Sequence, residues 1–442
     1  MEKAIKRFDF KCKPRKVSKF WGFVAKTISR IDLKKRKFVC RRHNTEGLKA
    51  PFIVLANHAS LVDMEISFMV THPNNINNVA SIEVFHDFPE WLMRKLGVIG
   101  KRKFTKDLYL LKNIKYSLDT LHSVFYMYPE ARYSLDGCTS FLPDSLGKML
   151  KLFKVPVVVV NMKGNFVTCP QWNKKDKHTH VEADFTQVLT VDDLKKLSVE
   201  EINERIKQAF VYDDFAWQKA NKIKIDDEDR AKGLHSLLYQ CPHCGKEHEM
   251  YSEGTKLWCA ACGKSWQMTE YGELVAENGE TEFSHTPDWF KWERKNVREQ
   301  VRNGTYRIED DVRIDTMPNA RGFIKQGTGH FVQDCTGMTL TGVAYGEPFT
   351  LKKEGCSQES VHIEYAYKYG GDVLDITTEN ENYWTYPLNL RDVITKVAIA
   401  TEEIYLMNKE RVETEKTEEA KLAAARREDE KLNEVHAAAT QV

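Results

Sequence analysis

The 442-residue sequence predicts an α/β domain, then a small cysteine-bearing ribbon, then a mostly β C-terminal domain, and three observations carry that reading. Residues 51–222 alternate short apolar runs with helical stretches, the pattern of a layered α/β fold. Two Cys-x-x-Cys pairs, Cys241 with Cys244 and Cys259 with Cys262, fall inside a turn-rich segment. Residues 306–407 break into short alternating segments such as Val361–Tyr367 and Val373–Thr377, parted by Gly and Asn turns.

Composition bounds the answer further. With 42% hydrophobic and 29% charged residues the chain is ordinary globular protein, neither collagen-like nor wholly disordered. Its length asks for more than one core, because single cores stop growing near about 250–300 residues. The longest apolar runs, Pro51–Ala56 and Val155–Val160, fall far short of the roughly 18 residues a membrane-spanning helix needs. The basic N-terminus lacks an apolar stretch followed by a small-residue cleavage site, so no secretory signal is expected and the chain is placed in the cytoplasm. Net charge is only +2, yet residues 1–50 hold 17 Lys and Arg against 4 Asp and Glu. That asymmetry points to an anionic partner, either a phospholipid surface or a nucleic acid. Six of the ten cysteines (Cys12, Cys40, Cys138, Cys169, Cys335 and Cys356) are scattered, which suits a reducing compartment with one metal site.

Element by element, residues 1–45 form a basic amphipathic segment. Val17, Phe20, Trp21, Val24, Ile28 and Ile31 follow helical spacing, with Lys16, Lys19, Lys26 and Arg30 between them. Such a helix either packs on the next domain or lies in a membrane interface. Residues 46–225 make the α/β domain. Strands are expected at Pro51–Ala56, Ser123–Tyr128 and Val155–Val160, and helices at Leu61–Val70, Leu108–Leu121 and Gly147–Phe153. Residues 232–275 make the ribbon, between the acidic linkers Asp226–Asp229 and Glu277–Glu280. Thr286 as N-cap and Pro287 as first helical residue open a connecting helix within 284–304. The mostly β domain spans 305–408, and 409–442, rich in Glu, Lys, Arg and Ala, is a charged helical or disordered tail.

Chemistry concentrates after the first strand of the α/β domain, in Ala56-Asn57-His58-Ala59-Ser60-Leu61-Val62-Asp63. On one continuous helix an offset of five turns side chains apart by roughly 140°, so His58 and Asp63 cannot pair there. A loop must hold His58. Ser60 with Asp63 three residues on reads as a capping box, which places Asp63 in the first turn and lets His58 fold back over it. A carboxylate on one ring nitrogen would fix the tautomer and leave the other as a general base.

This arrangement resembles the first signature of the glycerolipid (lysophospholipid) acyltransferase family, of the 1-acyl-sn-glycerol-3-phosphate acyltransferase kind. Three more segments follow in that family's order. Leu96–Lys103 resembles the second block, a glycine and apolar residues before a basic residue, here Arg102 or Lys103. Tyr126–Ser134 is similar to the third, an aromatic followed by Pro-Glu-Gly-Thr-Arg, and Val155–Val158 to the fourth. Ala131 stands where that third block has Gly, Arg132 comes one residue early, and of the fourth block only Pro156 carries over. The resemblance implies an α/β acyltransferase domain whose mixed sheet is flanked by helices. It also implies transfer of an acyl group from acyl-CoA or acyl carrier protein to the hydroxyl of lysophosphatidic acid, giving phosphatidic acid. His58 would be the base, Asp63 would orient it, and Arg102, Lys103, Glu130 and Arg132 would bind substrate, Glu130 by orienting an arginine. Glycerol 3-phosphate or another lysolipid is the alternative acceptor.

The pairs Cys241/Cys244 and Cys259/Cys262, 14 residues apart and each followed by Gly-Lys, look like a zinc ribbon. Four thiolates close a tetrahedral structural site with no open catalytic position, iron being the alternative ion. A ribbon beside a basic N-terminus also suits a nucleic-acid-binding protein. The four ordered blocks argue instead for a lysophospholipid substrate, an anionic membrane surface met by the N-terminal segment, and a peripheral place on the membrane's inner face.

Overall fold

The structure, a computed structural model, describes residues 5–105, 107–367 and 371–439, so residues 1–4 of the N-terminal segment and 440–442 of the tail lie outside the described residues. The α/β domain runs α1 (Lys19–Lys35), β1 (Val39–His43), β2 (Ile53–Ala56), α2 (Val62–Val70), β3 (Ile76–Ser81), α3 (Ile82–Asp87), α4 (Glu90–Lys95), β4 (Ile99–Lys101), α5 (Leu108–Asp119), β5 (Val124–Met127), α6 (Ser145–Phe153), β6 (Val157–Lys163), α7 (Asn165–Thr168), β7 (Glu182–Leu189), α8 (Val191–Lys196), α9 (Val199–Ala209) and α10 (Asp214–Ala220). The ribbon holds α11 (Leu234–Leu237), β8 (Met250–Glu253), β9 (Lys256–Cys259), β10 (Ser265–Met268) and β11 (Leu274–Ala276). There follow α12 (Thr286–Arg302), β12 (Arg307–Thr316), β13 (Ile324–Asp334), β14 (Gly337–Ala344), β15 (Glu347–Glu354), β16 (His362–Tyr367), β17 (Gly371–Thr377), β18 (Asn382–Pro387) and α13 (Ile394–Ala439).

The first sheet has seven strands in the order β1-β7-β6-β2-β5-β3-β4, all parallel neighbours except the antiparallel β6 and β7. β2 lies inside it, between β5 and β6, and is buried throughout. Its residues alternate between two layers. Phe52, Val54 and Ala56 pack with α2 and α3 (Ile66, Phe68, Phe85), whereas Ile53 and Leu55 pack with α5, α6 and α9 (Ile114, Leu150, Ile206). Helices on both faces explain why the strand reads as an unbroken apolar run rather than an alternating one.

The ribbon is a four-stranded antiparallel sheet in the order β11-β10-β9-β8. The C-terminal sheet is antiparallel, in the order β15-β14-β13-β12-β18-β17-β16. One apolar core joins the ribbon (Leu257, Trp266), α12 (Trp289, Val297), the C-terminal sheet (Val312, Phe331) and α13 (Val397, Ile404) to Ala59 and Phe166 of the α/β domain. The last helix begins at Ile394, inside the stretch read as mostly β. Every residue from Asp392 to Ile404 is buried, so the start of this helix has no exposed face to mark a helical period, and its Val, Ile and Thr residues suit a strand equally well. From Lys409 to Ala439 the tail is helical.

Candidate active site

β2 ends at Ala56, and Asn57 closes it by side-chain mimicry of a strand. Its amide nitrogen donates to the Met162 carbonyl (2.9 Å), and its amide oxygen accepts from the Met162 N–H (2.7 Å). The chain is then free to turn out, at the carboxyl ends of the parallel strands where open α/β sheets place their sites. His58 is the next residue, its carbonyl accepting from the Ser134 N–H at 2.7 Å. Asp63 stands in the first turn of α2, fully buried.

The two side chains meet: His58 Nδ1 lies 2.7 Å from Asp63 Oδ2. The same oxygen accepts from the N–H groups of Ala59 (2.7 Å) and Ser60 (3.1 Å), and Oδ1 accepts from Asn165 Nδ2 (2.8 Å). Only half of the expected capping box forms. The Asp63 carboxylate reaches back to the backbone, but the Ser60 hydroxyl is buried without a hydrogen bond among the described residues. Asn165 stands 102 residues from Asp63, and no local spacing signals it.

Tyr128 stacks on the imidazole at 3.9 Å between ring centres and 12° between planes, and Tyr133 lies 4.2 Å away at 38°. Burial raises both phenols well above their ordinary range, so they stay neutral. With Nδ1 facing Asp63, Nε2 is the ring's other nitrogen, and it makes no hydrogen bond among the described residues. The side chain is 21% exposed, so a substrate proton can reach it. Glu130 is buried and hydrogen-bonds the Tyr212 hydroxyl (3.3 Å); burial pushes its carboxyl up to about 8, and Arg132 opposes that only through space.

The three basic residues named from the second and third blocks have protein partners. Arg132 ion-pairs with Glu402 of α13 at 2.6 Å, both buried. Arg102 donates to the Asn382 side chain and, at 3.1 Å, to the Asn380 carbonyl. It is 2% exposed. Lys103 lies 3.8 Å from Glu83 and keeps 15% of its side chain exposed. Pro156 accepts the Ile53 N–H through its carbonyl (2.9 Å), tying β2 to the start of β6.

Some distance along the chain, the donor atoms of Cys241, Cys244, Cys259 and Cys262 all lie within 4.8 Å of one another. Cys241 Sγ to Cys262 Sγ and Cys244 Sγ to Cys259 Sγ are each 3.8 Å. Four thiolates about 2.3 Å from one ion stand about 3.8 Å apart at the corners of a tetrahedron, so the set could hold a metal ion. His243 and His248 face carboxylates instead, Glu282 and Glu247. None of the ten cysteines forms a disulfide. Among the described residues no helix is long and apolar enough to cross a membrane.

Residues 37–163 match the Acyltransferase family model. Among solved structures, the chain is similar to the crystal structure of the 1-acyl-sn-glycerophosphate (LPA) acyltransferase PlsC from Thermotoga maritima, at 18% identity and a TM-score of 0.35, over 43% of this chain and 76% of that one. No curated protein matches the sequence. The segment matched by the family model, residues 37–163, is the one that carries His58 and Asp63.

Proposed function

We propose that the protein transfers a fatty acyl group from a thioester donor, acyl-CoA or acyl carrier protein, to the hydroxyl of a lysophospholipid, with lysophosphatidic acid as the acceptor to test first. The observation that supports this best is the 2.7 Å contact of His58 Nδ1 with Asp63, which leaves Nε2 as a base on a partly exposed ring. An alcohol is a poor nucleophile at neutral pH, so its proton must leave as it attacks the thioester carbonyl. The new C–O bond forms, the C–S bond breaks, and the proton passes from the hydroxyl to Nε2 and on to the departing thiolate. Asp63 keeps the tautomer and stabilises the imidazolium, with the substrate supplying the nucleophile in place of a serine.

Lys103, the most exposed of the three basic residues, is the acceptor-phosphate contact in this reading. Arg102 and Arg132 could join only by exchanging the partners they hold. The membrane face is α1, where Phe20, Phe23, Ile28 and Ile31 are exposed, beside the exposed Trp91 of α4, which packs on Trp21 at 5.3 Å. Exposed Lys16, Lys19 and Arg30 border those side chains and suit an anionic surface of the inner-leaflet kind. The four-cysteine ribbon is proposed to hold a structural Zn²⁺.

The test is transfer from labelled oleoyl-CoA to lysophosphatidic acid on anionic vesicles, comparing the wild type with His58→Ala and Cys241→Ser. Turnover that falls by about 10²–10⁴-fold in His58→Ala, with unchanged circular dichroism, supports the assigned base. A wild type inactive with several lysophospholipids and both donors would sink the reading.

A further inference from the structure

We propose that Asn165 is a positioning residue of the acyl transfer, aiming the Asp63 carboxylate at His58. The proposal rests on the reading of His58 as the base. Asp63 Oδ2 is the crowded oxygen, shared by the His58 ring and two backbone N–H groups; Oδ1 has Asn165 Nδ2, at 2.8 Å, as its donor. Asp63 is fully buried, so no solvent replaces that donor. Removing it strands a buried acceptor, a cost that rotation of the carboxylate relieves by drawing Oδ2 away from the ring.

Asn165 is itself wholly buried, and its amide oxygen makes no hydrogen bond among the described residues. An apolar residue would fill that space without stranding a carbonyl, so the bond to Asp63 is what the carboxamide contributes. The single turn that carries it is clamped at both ends. Asp214 of α10 accepts the N–H groups of Gly164 and Phe166, each at 2.8 Å. The Arg36 guanidinium donates to the Thr168 hydroxyl at 2.8 Å and is itself anchored on Asp176. Gly164 has φ +79°, and a Cβ there would stand 2.2 Å from the His180 carbonyl oxygen, so the entry to α7 has one backbone path. Among the described residues, the carboxyls of Glu130 and Asp214 and the phenols of Tyr126, Tyr128 and Tyr133 lie within electrostatic reach of Asp63.

The experiment uses the full chain with oleoyl-CoA and lysophosphatidic acid on anionic vesicles, in the wild type, Asn165→Ala and Asn165→Asp. The Asp variant keeps the volume and, once ionised, turns the donor into an acceptor. Both variants are expected to lose about 10–100-fold in kcat, the range of outer-shell partners that orient a site's histidines, with KM for both substrates unchanged. Asn165→Asp carries a second signature. Two neighbouring carboxyls share a proton, so its activity relative to the wild type is highest at low pH, where the introduced group can still donate, and falls as pH rises. Wild-type kcat in either variant, or a loss that follows melting temperature at every pH, overturns the proposal. If the wild type turns over no acceptor, the reading of function fails and the positioning is judged without substrate. The low-field Nδ1 proton of His58, read by NMR, must then shift or vanish in Asn165→Ala, and an unmoved signal overturns the proposal.

Discussion

Arg132 and Glu402 lie 2.6 Å apart although 270 residues separate them, and both are almost wholly buried. Glu402 also accepts from Arg294 (2.7 Å) and from the Ser360 hydroxyl (2.7 Å), so one carboxylate joins the third sequence block to α12, the loop before β16 and α13. Burial opposes its charge, but Arg132 and Arg294 win and hold it down at about 2. Glu402→Ala would leave the buried Arg132 guanidinium without this partner, while Arg294, 23% exposed, would keep Glu403, and breaking a buried pair in that way costs about 3–5 kcal/mol. A thermal melt is expected to fall by several degrees, and a shift below about 1 °C would show that the pair carries no load.

Ala131 gives a gain rather than a loss. It has φ +57°, where a side chain is strained, and its N–H closes a turn onto the Tyr128 carbonyl at 3.1 Å. The third block of the family that the sequence resembles has glycine here, which takes that conformation without strain. Ala131→Gly is expected to stabilise the chain by about 0.5–1 kcal/mol, the strain relieved exceeding the added freedom of the unfolded state. Denaturant midpoints compare the two, and a destabilised variant would contradict the backbone argument.

The legible parts of the site were those written in consecutive residues. His58, the loop that holds it and Asp63 in the first turn of a helix follow from one short segment, and the four cysteines announce themselves by spacing. What the sequence hid is long-range. Asn165, Tyr212 and Asp214 reach the site from separate elements, and no spacing rule links a carboxamide to a carboxylate 102 positions away. The partners of Arg102 and Arg132 were equally hidden, because Asn382 and Glu402 belong to β18 and α13 and meet those arginines only after the C-terminal half has packed. α13 itself was missed where it is most buried, since β-branched residues are as much at home in a strand.

Glu130 predicts how stability depends on pH. Burial pushes its carboxyl up to about 8 from an ordinary 4.5, and Asp214 likewise rises from 3.8 to about 7. The folded chain therefore binds more protons than the unfolded one between those values. Stability from these groups is fully present below the unfolded values and is lost as pH rises through about 7 to 8. Glu130→Gln keeps a neutral partner for Tyr212 and should flatten the decline. Denaturant midpoints from pH 5 to 8 on both proteins check this, and equal slopes would place the pH dependence elsewhere.

On α1, Phe20 and Phe23 are 64% and 70% exposed, which leaves two rings in water on a helix otherwise anchored by Leu33 and Ser29. Phe20→Glu with Phe23→Glu removes apolar side chains and adds charge without touching the core, so folding should be unaffected. Sedimentation with anionic vesicles is expected to drop by more than tenfold, because each buried ring contributes about 1.5–3 kcal/mol. Wild-type binding should also resist competition by duplex DNA, since insertion rather than charge alone would hold it. Full release of the wild type by DNA would favour a charge-only contact.

If the four cysteines hold the proposed ion, the ribbon should fail as a unit when that ion is taken away, and the failure should spread. Trp266 packs on Trp289 of α12 at 4.9 Å, the Trp289 indole donates to the Gln240 carbonyl at 2.9 Å, and the Gln240 N–H donates to Glu293 at 2.8 Å. The residue before the first cysteine is thus fixed to the helix that carries Arg294, and Arg294 leads to Glu402 and Arg132. A four-thiolate ion contributes its binding energy to folding, because the site does not exist in the unfolded chain. Elemental analysis should find one metal ion per chain in the wild type and none in Cys241→Ser, with a lower melting temperature in that variant. Acyl transfer should persist at low temperature and disappear on warming sooner than in the wild type, since among the described residues none of the four ribbon cysteines hydrogen-bonds His58. Loss of turnover at every temperature in a folded Cys241→Ser protein would instead tie the ion to the chemistry.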